Sequence, residues 1–252
     1  IVARCLDADL YENWTDVSGF LSADPRIVQN PRAIGRITFD EMRELSYMGA
    51  SVLQEEAIFP VREANIPIQI KNTNRPEDAG TVIRETADGD TNEHLITGIA
   101  GKKDFLAIHV KKAHMSNEVG VISRALNIVE RYGVSVEHIP TGVDSFGIVV
   151  NASDVKDTVY SIISDIRREI EPDDITMVDR LALVSVVGRN MSRRSGTSGK
   201  IFGALGNAGV NIRMITQSSE EISIIVGVDN ADFDRTIGVI YNGFVRDEMV
   251  SR

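Results

Sequence analysis

The sequence predicts a mixed α/β (α+β) chain in which two similar βαββαβ units follow a separate α/β segment. The main observation is an internal duplication: shifting the chain by 76 positions overlays residues 105–151 on 181–227 without a gap. Apolar positions, helix lengths and turn glycines coincide over that stretch, so we interpret it as a true repeat. Ahead of the repeat, residues 84–94 contain no large apolar side chain and indicate a linker.

Composition and charge exclude several classes of protein. The 252 residues are 42% hydrophobic and 25% charged, and no apolar run reaches the ~18 residues that a membrane span needs. A formal net charge of −10 argues against nucleic-acid and anionic-membrane partners. Because Cys5 is the single cysteine, no internal disulfide can form, and we expect a cytoplasmic setting.

The first segment, residues 1–85, mixes short strands with one amphipathic helix. Ile1–Leu6 is typical of the last turns of a buried helix entered midway, which predicts that the chain is a fragment. Strands are predicted at Asp9–Trp14 and Ile66–Ile70, and Thr38 is the predicted start of a helix. The apolar positions of that helix are Met42, Leu45, Met48 and Val52.

Each repeat has the pattern strand–helix–strand–strand–helix. In the first repeat, strands are predicted at Val134–Ile139 and Phe146–Val150, between two helices that each have a single apolar face. Ser153 is the expected N-cap of the second helix. Such helices must bury their apolar faces on one side of an antiparallel sheet, which predicts a ferredoxin-like βαββαβ sandwich for each repeat.

A count of strands predicts that the second unit takes a strand from ahead of the first. The first unit closes with Ile175–Val178, whereas the chain after the last helix offers only Gly243–Val245. Leu95–Ala100 is strand-like and has no partner in the first unit, so we expect it to complete the second sheet. The predicted division is 1–85 for the α/β segment, 86–94 for the linker, 103–178 for the first unit, and 95–102 plus 179–252 for the second.

Catalytic and metal-binding motifs are absent from the sequence. The four histidines are scattered without metal-ligand spacing, so no metal site is predicted. Gly196–Lys200 resembles a phosphate-binding loop only poorly, and the repeat places it before a helix, where glycines usually have a conformational role.

Polar residues gather just after the first predicted strand. Ligands bind at the carboxyl ends of strands in open α/β sheets. Thr15 and Asp16 could hydrogen-bond a sugar or a base there, and Arg26 could pair with phosphate oxygens. The alternative is two tight turns with a surface pair between Asp16 and Arg26, and the residues alone leave both interpretations open.

Three stretches resemble the aspartate kinase family in their order and spacing: Trp14–Arg26, Glu44–Leu53 and Ile66–Glu77. The duplicated part is similar to the tandem ACT modules of that family, so the resemblance covers essentially the whole chain. It implies a remnant of an amino-acid-kinase αβα sandwich followed by two ferredoxin-like ACT domains. The implied activity is phosphorylation of the β-carboxylate of L-aspartate by ATP with Mg²⁺, the first step toward lysine, threonine and methionine.

By matching positions, the resemblance places Thr15 and Asp16 beside the base and ribose of ATP and Arg26 beside its phosphates. It places Ser51 and Val52 next to the nucleotide, although many members of the family have lysine where Ser51 stands. The glycine-rich segments that carry the family's catalytic residues are not in this sequence. We therefore expect no catalytic residue within this chain and no kinase activity from it alone.

ACT modules usually bind an amino acid where two units meet, so the resemblance implies an effector site between one unit's first loop and a neighbour's second strand. The loop opens a helix, where free N–H groups and the helix dipole suit a carboxylate. Its candidate residues are Met115, Ser116, Asn117, Glu118, Val119 and Gly120. The strand candidates are Ser135, Val136 and Glu137, with Asn211 and Ile212 as secondary candidates from the second unit.

Two acids among these candidates, Glu118 and Glu137, favour a dibasic effector, so lysine is expected first and threonine second. ACT sheets commonly join edge to edge, which predicts a homodimer or a higher homo-oligomer. An ordinary helix cap with an exposed strand acid is the alternative to an effector site. A non-catalytic ACT regulatory subunit is the alternative for the whole chain, and residues 1–85 argue against it.

Overall fold

A computed structural model describes residues 1–50, 52–53, 55–86, 94–218 and 220–246, and it places their strands in two β-sheets. One sheet has four strands and belongs to the first segment, and the other has six strands and belongs to the duplicated part. This arrangement confirms the predicted mixed α/β fold class.

The four-stranded sheet is formed by short strands of the first segment. They are β1 Tyr11–Thr15, β2 Arg36–Thr38, β3 Ile68–Asn72 and β4 Thr81–Arg84. Their order is β1-β3-β4-β2, in which β1 is parallel to β3 and β3 is antiparallel to β4. Alternation along β3 buries Ile68 and Ile70 completely. The two predicted strands exist, and each begins two residues later than the sequence indicates.

Three helices accompany this sheet: α1 Val2–Cys5, α2 Phe39–Tyr47 and α3 Glu55–Glu63. Thr38 caps α2 as predicted, because its hydroxyl accepts the Glu41 N–H while the Glu41 carboxylate accepts the Thr38 N–H. The prediction of a buried helix at Ile1–Leu6 is wrong in its burial. None of the residues of α1 is buried, because this single turn lies on the surface beside α3, where Arg4 pairs with Glu63.

The six-stranded sheet is antiparallel throughout and has the order β6-β7-β5-β8-β10-β9. Two of its strands are long, β5 Gly98–Lys111 and β8 Asp174–Val187. The others are β6 Val136–His138, β7 Ser145–Asn151, β9 Met214–Gln217 and β10 Ser223–Asp229. The helices are α4 Val121–Arg131, α5 Val159–Ile170, α6 Thr197–Asn207 and α7 Phe233–Ile240.

The two long strands run through both halves of the sheet, and the two halves have the same arrangement of strands. The first part of β5, Gly98–Lys102, pairs with Leu183–Val187, whereas its last part pairs with Asp174–Val178. Between these parts the register shifts, and Asp104 and Arg180 have left-handed backbone angles. Each half therefore has four strands in the order of a βαββαβ unit, and this pairing supports the expected exchange of 95–102. The domain boundaries themselves stay a prediction, and residues 87–93 of the predicted linker lie outside the described residues.

One local prediction in the first repeat is wrong. Ser153 does not cap α5, which begins at Val159 after Thr158. The Ser153 hydroxyl and N–H both donate to the Asn151 side chain, so they close a local turn instead of serving a helix. The backbone from Ser153 to Thr158 forms turns, and Val155 is buried beneath the start of the helix.

The first segment shares its hydrophobic core with the middle of the six-stranded sheet. Phe20, Leu45 and Met48 belong to one buried cluster with Phe105 and Leu183. Because α2 contributes Leu45 and its C-cap residue is Met48, this helix is the element through which the first segment packs on β5 and β8. Two further clusters fill the two halves of the large sheet.

A buried carboxylate, that of Glu41, hydrogen-bonds across the contact between the first segment and the six-stranded sheet. Glu41 of α2 is 0% exposed and accepts hydrogen bonds from the Thr97 hydroxyl at 2.6 Å and from Arg189. The Arg189 N–H lies at 3.0 Å and its guanidinium at 2.8 Å. Burial alone would raise the pKa of Glu41, but these hydrogen bonds outweigh it and lower the pKa. Glu41 thus connects the residue before β5 with the loop after β8.

Replacing Glu41 with alanine should destabilise the chain by about 3–5 kcal/mol, because Arg189 and Thr97 lose their buried partner. Urea denaturation measures this change. Asp40→Asn is the matched control, since Asp40 pairs with Arg62 at the surface and the loss should stay below about 1 kcal/mol. Equal losses in the two variants would contradict the role given to Glu41.

Candidate effector and nucleotide sites

The candidate nucleotide residues Thr15 and Asp16 lie together at the carboxyl end of β1. Thr15 is the last residue of the strand, and its hydroxyl donates to the Asp16 carboxylate at 3.2 Å. The neighbouring parallel strand β3 ends at Asn72, at the same edge of the sheet. This edge therefore presents exposed hydrogen-bonding groups where ligands of open α/β sheets bind.

Arg26 pairs with a different acid from the one that the sequence offered as an alternative. Its guanidinium makes a two-pronged contact with Asp24, with nitrogen–oxygen distances of 2.6 and 3.0 Å. The hydrogen bond from Arg26 lowers the pKa of Asp24. The Arg26 side chain is nevertheless 88% exposed, so it is accessible to an anion. Val52 packs against the core, and Ser51 lies outside the described residues.

The candidate effector loop is a helical turn followed by the start of α4. Met115 is buried and anchors the turn Met115–Asn117, while Val119 is 95% exposed. Gly120 is the N-cap of α4 with φ +82°, a left-handed conformation that favours glycine. The free N–H groups of the first turn of α4 consequently face the end of the loop.

Glu118 in this loop already has two cationic partners. The Lys112 ammonium lies 3.3 Å from its carboxylate, and the Arg124 guanidinium donates to it directly. Burial would raise the pKa of Glu118, but the bonds from Lys112 and Arg124 together lower it. The charge of Glu118 is therefore balanced by cations of the same chain. Of the two candidate acids, Glu137 is the one that no described cationic side chain contacts.

The strand candidates Ser135, Val136 and Glu137 line an open depression of about 700 Å³. Its other wall is formed by α4, and its floor is β6, which is an edge strand of the sheet. Glu137 accepts a hydrogen bond from the hydroxyl of Tyr47, the last residue of α2. This contact connects the depression with the first segment.

Within one chain, the structure does not bring the loop and strand candidates together. Val136 pairs with Val150, which pairs with Leu106, whereas the loop follows Lys111 at the end of β5. At ~3.4 Å per residue the two groups are about 17 Å apart along the sheet. Asn211 and Ile212 precede β9, the opposite edge strand, so they are farther from β6 still.

The comparisons with known proteins agree with this architecture. The amino acid kinase family matches residues 1–72, and the ACT domain matches residues 184–244. Aspartokinase 3 of Bacillus subtilis is 39% identical over 252 residues, which cover 100% of this chain and 55% of that protein. The crystal structure of Clostridium acetobutylicum aspartate kinase is 51% identical with a TM-score of 0.93, over 96% of this chain and 56% of that one.

A third match decides the family. The crystal structure of aspartokinase α and β subunits is 30% identical with a TM-score of 0.53, and the match covers 59% of this chain and 97% of that one. The chain belongs to the aspartokinase family. It spans about half the length of the curated aspartokinases that it matches.

Sequence reasoning missed three residues that connect the parts of this aspartokinase chain: Glu41, Tyr47 and Arg189. The repeat contains a signal for Arg189, because the duplication places it on Ala113, and a charged residue in place of alanine in a copied loop indicates a new partner. The sequence around Glu41 indicated only the start of a helix. No sequence pattern indicated the contact of Tyr47, since its partner is 90 residues away.

Two general findings apply to the described part of the chain. No helix in it is long and apolar enough to cross a membrane. No group of three or more histidine, cysteine, aspartate or glutamate side chains there is arranged to hold a metal ion.

His138, at the end of β6, gives a prediction of pH dependence. Burial lowers its pKa from the ordinary value, only partly opposed by the Glu137 charge. The unfolded chain therefore takes up a proton at a higher pH than the folded chain, and stability should fall as pH drops below about 6.5. Denaturation from pH 7.5 to 5.5 should show a smaller loss in His138→Asn than in the unmodified chain. The exposed His114→Asn is the control, and a slope that is equal in all three would contradict the prediction.

Proposed function

We propose that this chain is the effector-sensing part of an aspartokinase together with the end of its catalytic domain. The whole protein would transfer a phosphoryl group from ATP, with Mg²⁺, to the β-carboxylate of L-aspartate in the cytoplasm. The observation that carries the proposal is the shared core, in which the sheet bearing Thr15 and Asp16 packs through α2 on two ACT-like halves. A regulatory subunit alone would have no use for that sheet.

The residues at the carboxyl end of β1 fit a nucleotide. Thr15 and Asp16 offer a hydroxyl and a carboxylate for the ribose and base, and the exposed Arg26 offers a guanidinium for the phosphates. Ser51 and Val52 are proposed to stand beside the nucleotide, because the resemblance of Glu44–Leu53 to the aspartate kinase family implies that position. Escherichia coli aspartokinase III, 24% identical with a TM-score of 0.79, is known in complex with aspartate and ADP.

The proposed effector is an amino acid, with lysine as the first candidate and threonine as the second. The loop Met115–Gly120 supplies free N–H groups for a carboxylate, and Ser135–Glu137 supplies an acid for an ammonium group. Escherichia coli aspartokinase III is also known in complex with lysine and aspartate, at the same 24% identity. Regulation would follow from an effector that binds one arrangement of the modules more tightly than another.

Because these two groups are far apart within one chain, the proposed site needs a second copy. The edge strand β6 of one copy would meet the loop of another, which supports a homodimer or a higher homo-oligomer. The proposed domains are 1–85, 103–178, and 95–102 plus 179–252, with 86–94 as the linker. Asn211 and Ile212, at the other edge, are proposed as secondary contacts across the interface.

A panel of thermal melts tests the sensing function. We expect lysine or threonine, at about a hundred times the dissociation constant, to stabilise residues 1–252 by about 2.7 kcal/mol. That stabilisation should raise the melting temperature by roughly 2–4 °C, while methionine and aspartate leave it unchanged. No shift with any of the four amino acids would contradict the proposed sensor.

The proposed role of Glu137 is tested separately. Glu137→Gln should weaken lysine binding about ten-fold or more, because a charge-assisted hydrogen bond is worth about 1.5–3 kcal/mol. Titration calorimetry measures the affinity. Glu130→Gln is the matched control, since Glu130 lines the same depression from α4 and its replacement removes the same charge. An equal effect of both changes would reject a direct contact with Glu137.

A further inference from the structure

One hydrogen bond connects Glu137, the acid proposed to bind the effector, with α2, the helix that precedes Ser51 and Val52 in the sequence. The Tyr47 hydroxyl donates to the Glu137 carboxylate, and the Tyr47 residue is 52% exposed. The Lys102 ammonium lies over the Tyr47 ring, 5.3 Å from its centre. Among the described side chains, Tyr47 is the one whose hydrogen bond reaches the Glu137 carboxylate.

The two ends of α2 are held in different ways. Near its start, Glu41 is fully buried and accepts three hydrogen bonds from Thr97 and Arg189. At its end, Tyr47 is held toward β6 by one hydrogen bond at the surface. Ser51, which the proposed function assigns to the nucleotide, follows Tyr47 by four residues in the sequence. The start of the helix therefore has a buried polar attachment, whereas its end is held by the buried side chains of Leu45 and Met48 and, at the surface, by the Tyr47 hydrogen bond.

We propose that an effector ammonium group and the Tyr47 hydroxyl compete for the Glu137 carboxylate, so that effector binding releases Tyr47, the last residue of α2, from β6. This inference rests on the proposed function, in which an amino acid binds at Glu137. A cation is the stronger partner for a carboxylate, since charge-assisted hydrogen bonds are about twice as strong as neutral ones. Release of Tyr47 leaves Glu41 and the buried Leu45 in place, so the change is confined to the C-terminal end of α2.

Because the competition is reciprocal, it predicts the direction in which effector affinity changes when the Tyr47 hydroxyl is removed. If the effector weakens the contact between Tyr47 and Glu137, then the contact weakens effector binding by the same factor. Removing the Tyr47 hydroxyl should therefore tighten effector binding. A hydroxyl that touches the effector would have the opposite effect, and an unrelated hydroxyl would have none.

The test is titration calorimetry of residues 1–252 with lysine, and with threonine if lysine does not bind. Tyr47→Phe should bind the amino acid roughly three- to ten-fold more tightly than the unmodified chain. Tyr132→Phe is the matched control, because it removes another tyrosine–carboxylate hydrogen bond, of 2.8 Å to Asp165, in the same half of the sheet. Its affinity should equal that of the unmodified chain.

Hydrogen exchange of the amides in α2 gives a second readout. Saturating effector should speed exchange at the end of α2 in the unmodified chain, and Tyr47→Phe should show the faster exchange without any effector. Unchanged or weaker binding by Tyr47→Phe, while the unmodified chain binds, would overturn the competition and leave the proposed sensor intact. Absence of binding to the unmodified chain would overturn both.

Discussion

The pairing of β5 with β8 in both halves of the large sheet is the constraint on which the rest of the structure depends. Each strand has 14 residues and serves both halves of the sheet, so neither half is complete without the other. The backbone changes register near Asp104 and Arg180, where both residues adopt left-handed angles. The two ACT-like halves therefore form one sheet whose outer edges are the short strands β6 and β9. A sheet with two exposed edges is suited to joining other copies.

The same pairing places the ends of the long strands where the first segment can reach them. Thr97 stands before β5 and Arg189 after β8, and both donate to the buried Glu41 carboxylate. The opposite end of α2 reaches β6 through Tyr47. A single helix of nine residues thus touches both halves of the regulatory sheet and leads into the segment proposed to border the nucleotide. This helix is the route by which we propose that an effector bound to one half alters the first segment.

The sequence predicted the strands and helices of the duplicated part, but it did not predict the contacts that join this part to the first segment. The 76-residue repeat predicted the two halves, and the count of strands predicted the partner of Leu95–Ala100, because both depend on local apolar patterns. The cap at Thr38 was predicted for the same reason. Ser153 was placed wrongly, since a serine can close a turn on Asn151 as well as cap a helix. The contacts of Tyr47 and Glu41 join residues far apart in the chain, and no periodicity records such pairs.

A crystal structure of residues 1–252 with lysine tests the central claim most directly, because the claim concerns where an effector sits. The account predicts lysine between two copies, with its ammonium group on Glu137 of one and its carboxylate at the N-terminus of α4 of the other. The Tyr47 hydroxyl would then have left Glu137. Lysine bound within a single copy, or at the loop before α6, would contradict the account.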